Sequence, residues 1–96
     1  MIKVEITELG EFNLPEKYSE IKGDKFLKFV KISTEMTSGQ INEFEGLVDT
    51  LCLLMEVDKE DLLTHLNTPS LLALGKELDW MKDMSFDDKD LNFKIK

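Results

Sequence analysis

Ninety-six residues, 42% hydrophobic and 33% charged, predict one domain with a single core, and no apolar run approaches the roughly 18 residues of a membrane span. The net charge is −8 and every basic residue is a lysine, so the chain lacks the basic, guanidinium-rich face that a nucleic-acid reader uses. The opening Met-Ile-Lys-Val-Glu-Ile has no apolar leader core, and a lone cysteine makes no internal disulfide, which together predict a cytoplasmic protein.

Ile2, Val4 and Ile6 alternate with Lys3, Glu5 and Thr7, the period-2 pattern of a half-buried strand. After a turn at Leu9-Gly10, Glu11 to Leu14 alternates again until Pro15 stops it, which predicts a hairpin. Asp24 is placed to cap a short helix carrying Phe26, Leu27, Phe29, Val30 and Ile32, with Lys22, Lys25, Lys28 and Lys31 on a solvated face. Ser33 to Gly39 is polar and predicts a linker, with Thr37 or Ser38 capping the helix that follows.

That following helix, within residues 40–57, is the centre of the chain. Ile41, Phe44, Val48, Leu51, Cys52 and Met55 recur on one side, and Leu47 and Leu54 widen the face. Asp58 to Asp61 predicts the acidic start of a short helix carrying Leu62, Leu63 and Leu66. Asn67 ends it, and Thr68 as cap with Pro69 in the first helical position starts a last helix running to about Asp83 with Leu71, Leu74, Leu78 and Met81 as its stripe. Leu91, Phe93 and Ile95 alternate with polar residues, a third strand signal. The expected architecture is α+β: the hairpin and the carboxy-terminal strand form a small sheet on three or four helices.

No catalytic or metal constellation emerges. Cys52 falls on the apolar helix face and His65 near a helix end, without an orienting group for a nucleophile or enough ligands for zinc. Asp88 to Asn92 mimics a calcium loop but has Phe93 where that loop needs glycine. Pro69-Ser70-Leu71 offers a serine at a helix start, as acyl carrier proteins do, yet lacks the preceding aspartate of their attachment motif. The reading is a non-enzyme without cofactors.

Tyr18-x-x-Ile21, Lys25 to Phe29, Leu53 to Val57, the acid-led Asp58 to Leu63 and the closing Leu78-Asp79-Trp80-Met81 follow one another in an order that resembles small tailed-bacteriophage proteins, the tail assembly chaperones and minor virion proteins. The resemblance spans about residues 2–84. It implies a non-enzymatic part in virion assembly through protein–protein contacts, in the host cytoplasm or the particle. The alternative class is a small acidic adaptor or inhibitor of a basic protein partner. Residues off the core stripes mark the expected contact patch, for a partner or for self-association. On a continuous last helix Trp80 lies opposite Leu71, with Ala73 and Met84 beside it, and Leu53 is the odd apolar residue of the central helix.

Overall fold

A computed structural model describes residues 1–83 and 88–95. Strands β1 (Ile2–Ile6) and β2 (Gly10–Leu14) form an antiparallel hairpin in register from Ile2 opposite Leu14 to Ile6 opposite Gly10. Leu9 N–H closes its turn on the Ile6 carbonyl at 3.0 Å. Glu8 in that turn has φ 73°, a left-handed conformation uncommon for a residue with a side chain. Helices α1 (Gly23–Thr37), α2 (Glu43–Met55), α3 (Lys59–His65) and α4 (Thr68–Lys76) follow, and a 3-10 turn spans Asp79–Lys82. The result is an α+β fold with principal extents of 50 × 33 × 19 Å.

The hairpin lays Ile6 and Leu14 on a core that α2 dominates through Val48, Leu51, Leu54 and Met55. Leu62 of α3, Leu71 of α4, Leu78 and Met81 complete it. Leu14, Val48, Leu51 and Leu62 are wholly enclosed, each contributing about 1.5–3 kcal/mol of burial free energy. Tyr18 pins the far side. Its ring stands edge-on to Phe26 at 5.7 Å and to Trp80 at 4.9 Å, and its hydroxyl donates to the Met81 carbonyl at 2.9 Å. One side chain therefore joins the segment after the hairpin, the start of α1 and the 3-10 turn.

Four expectations are corrected. The carboxy-terminal strand is absent among the described residues: 91–95 take no regular structure, and Ile95 is 90% exposed. Alternation supplies a face to bury, but a strand also needs a neighbouring backbone, and here Asp88–Asp90 winds into a 3-10 turn whose Asp90 reaches Lys17 at 3.7 Å. The expected linker at Ser33 is instead helical as far as Thr37. Thr34 and Thr37 donate their hydroxyls to the carbonyls of Val30 and Ser33, so their polarity is satisfied inside the helix.

The caps also move. Asp24 lies inside the first turn of α1, which no side chain caps. Asn42, not Thr37 or Ser38, caps α2 by accepting the Glu45 N–H at 2.8 Å, and Asn67, one residue before Thr68, caps α4 by accepting that of Ser70 at 3.0 Å. Finally, α4 does not continue to Asp83. It stops at Lys76, and the tighter winding of Asp79–Lys82 rotates Trp80 away from its expected helical position.

Candidate protein-contact surfaces

Three of the four residues expected to form one patch are described, each in its own setting. Trp80 is half-buried against Tyr18, and its indole N–H is shielded without a hydrogen-bond acceptor among the described residues. Ala73 is exposed on α4 beside β1, while Leu53 is half-buried on α2. Met84 lies outside the described residues.

The reactive side chains have structural settings. Burial and the neighbouring Asp49 push the Cys52 thiol up to about 11, which leaves it protonated and poorly nucleophilic near neutrality. His65 places Nδ1 2.9 Å from the Asp61 carbonyl, one turn back along α3. Among the described residues no cluster of three or more His, Cys, Asp or Glu side chains is arranged to hold a metal ion. No helix among them is long and apolar enough to cross a membrane.

Among the described residues, two concave surfaces have mainly apolar linings. The first is a cleft of about 250 Å³ among α1, α2, α4 and the 3-10 turn. Phe29, Met36, Leu47, Leu78 and Met81 form its walls, and Glu43, Asp79 and Lys82 stand at its edge. Two glycines set its shape. A Cβ on Gly46 would run into the Met36 thioether, and one on Gly75 would lie 2.6 Å from Leu47 Cδ1, so α1 and α4 both approach α2 more closely than alanine allows. The cleft was missed in the sequence because its lining comes from four elements. The signal that could have found it is a lone glycine inside each of two otherwise apolar helices.

The second surface is a groove of about 420 Å³ between β1 and α4, floored by Ile2, Val4, Leu66 and Leu74, with Ala73 and Glu77 on the helical bank. Along β1 the side chains of Ile2, Val4 and Ile6 turn inward while Lys3 and Glu5 are exposed.

Electrostatically the helical end of the molecule is acidic but locally balanced. Lys59 sits 3.1 Å from Asp49 and 3.4 Å from Glu45, whose carboxylates raise its pKa, Asp49 most. Lys25 bridges to Glu56 at 2.8 Å and lowers that carboxyl's pKa. Glu56 itself ends α2 in a left-handed conformation with φ 57°. Compared with protein-family models, curated protein sequences and solved structures, the chain matches none.

Proposed function

We propose that this chain is a non-enzymatic assembly protein of the phage-virion kind, which holds a large apolar side chain of a partner protein in the cleft among α1, α2 and α4. The observation that carries this reading is the cleft itself: a concavity open to solvent and lined by five apolar side chains, at a place where two helical glycines keep the helices close. Its volume of about 250 Å³ suits one Phe, Leu or Met side chain, whose burial contributes about 1.5–3 kcal/mol. Glu43 and Asp79 at the edge favour a lysine or arginine next to that anchor, as the net charge of −8 does at longer range. The phage assignment rests on the sequence resemblance.

Methyl-labelled methionines provide the test, because Met36 and Met81 both line the cleft. The probes are two lysine-flanked helical peptides that differ only in a central Phe or Ala. Saturable shifts of the Met36 and Met81 methyl signals are expected with the Phe peptide and not with the Ala peptide; shifts in neither, or equal shifts in both, overturn the docking reading. The virion assignment is tested separately, by co-expression with the product of each neighbouring gene. A rise in soluble yield of a tail or virion protein supports it, and a gene neighbourhood without virion genes overturns it.

A further inference from the structure

The free edge of β1 is self-complementary. In an antiparallel hairpin each residue directs its N–H and C=O to the same side, alternating along the strand. Ile6 accepts from the turn, at Leu9 N–H, and stands opposite Gly10. Ile6, Val4 and Ile2 therefore bond to β2, while the backbone groups of Lys3 and Glu5 face outward from the hairpin. Neither makes another backbone hydrogen bond among the described residues, and 91–95, the chain's own candidate third strand, leaves this edge open.

We propose that this edge pairs with the same edge of a second copy of the chain, giving a four-stranded antiparallel sheet across a two-fold axis at Val4. Charge decides the occupant and the register. With the axis at Val4, Lys3 of each copy stands directly opposite Glu5 of the other, and these are the residues whose N–H and C=O point outward. The pairing makes about four backbone hydrogen bonds and two cross-strand ion pairs. Moving the axis to Lys3 sets lysine against lysine, and moving it to Glu5 sets glutamate against glutamate, both repulsive. The inward face agrees. Ile2 and Val4 of the second copy extend the apolar floor of the groove toward Leu74 and Ala73 of the first. Both free β1 edges are used up, so the assembly closes at two. This surface is separate from the cleft, and the two readings stand or fall independently.

Sedimentation across concentration tests the proposal on the full chain. The wild type is expected to move from 11.1 kDa toward about 22 kDa as concentration rises toward about 1 mM. Lys3→Glu and Glu5→Lys, both on exposed side chains, should each remain monomeric. An equimolar mixture of the two variants should regain the dimer, because each supplies the charges the other needs. In hydrogen exchange the Lys3 and Glu5 amides should gain protection with concentration while Val4 does not change. A wild type that stays at 11.1 kDa, single variants that dimerise like it, or a mixture that fails to dimerise overturns the proposal. Protection of Lys3 and Glu5 in a strictly monomeric sample would overturn it as well and assign the edge to residues 91–95.

Discussion

Replacing Gly75 by alanine separates two opposed effects that the structure sets against each other. Gly75 lies in the last turn of α4, where alanine improves helix propensity by about 0.5–1 kcal/mol. Against this, the added Cβ would lie 2.6 Å from Leu47 Cδ1, 3.0 Å from Cδ2 and 3.3 Å from Cγ. The Leu47 fork straddles the glycine, so a small rotation of one methyl does not relieve the contact. Either the leucine changes rotamer or α4 moves off α2, and overpacking of this kind costs about 1–3 kcal/mol. The net expectation is a loss of about 0.5–2 kcal/mol, or roughly 4–8 °C in Tm per kcal/mol for a domain of this size.

The assay is urea unfolding of a double-mutant cycle with Leu47→Ala. Shortening Leu47 removes the obstacle, so Gly75→Ala in that background should stabilise by the propensity alone, about 0.5–1 kcal/mol. The coupling between the two positions is then about 1–3 kcal/mol. If Gly75→Ala stabilises the wild type by the full propensity gain, the close approach of α4 to α2 is wrong, and with it the geometry of the cleft.

Tyr18→Phe keeps both ring contacts but loses the bond to the Met81 carbonyl, and should lower stability by about 0.5–1.5 kcal/mol in chemical denaturation. Cys52, with its thiol raised from 9.0 to about 11, should react with a thiol reagent roughly 100-fold more slowly in the native state at pH 8 than after unfolding. The sign for stability follows from the same shift: a folded pKa above the unfolded one leaves stability intact below pH 9 and erodes it between pH 9 and about 11, so Cys52→Ala should flatten that part of the profile. Trp80, shielded against Tyr18, should emit at blue-shifted wavelengths and resist acrylamide in dilute solution at every concentration tested; a red-shifted emission there would contradict its placement.

The hairpin and the dominance of α2 were legible because each rests on a local period that tertiary structure had only to accept. Ile2, Val4 and Ile6 alternate and turn inward; Val48, Leu51 and Met55 repeat at helical spacing and are buried. Where a second partner decides, the period misled. Residues 91–95 alternate as well as β1 does, but they pair with no strand among the described residues and stay irregular. Ser33 to Thr37 has linker composition, yet its hydroxyls bond back to the preceding turn and the helix runs on. The expected position of Trp80 beside Ala73 shifts for a related reason. It assumed 100° per residue through Trp80, and the winding tightens before that residue, so Trp80 turns to Tyr18 while Ala73 stays beside β1. The concavities lie between elements, and a single-segment pattern does not register those.

The state of α1 links these surfaces to the way the protein would work. Its fifteen residues include no fully buried side chain, and Leu27 remains 71% exposed. A helix of this length is marginal in water without tertiary support, and the support here comes from half-buried side chains, Phe29 and Met36 toward α2 and Phe26 against Tyr18, with the exposed Lys25–Glu56 bridge worth no more than about 1 kcal/mol. Phe29 and Met36 are also walls of the cleft. An apolar anchor seated there would add contacts to a helix that carries no fully buried side chain, so part of its binding free energy would appear as ordering of α1. The groove along β1 shares no lining residue with the cleft and none with α1, so pairing there would leave α1 as it is. A partner in the cleft and a second copy on the edge would thus engage separate sets of residues, so that pairing at the edge would leave the cleft free for its occupant.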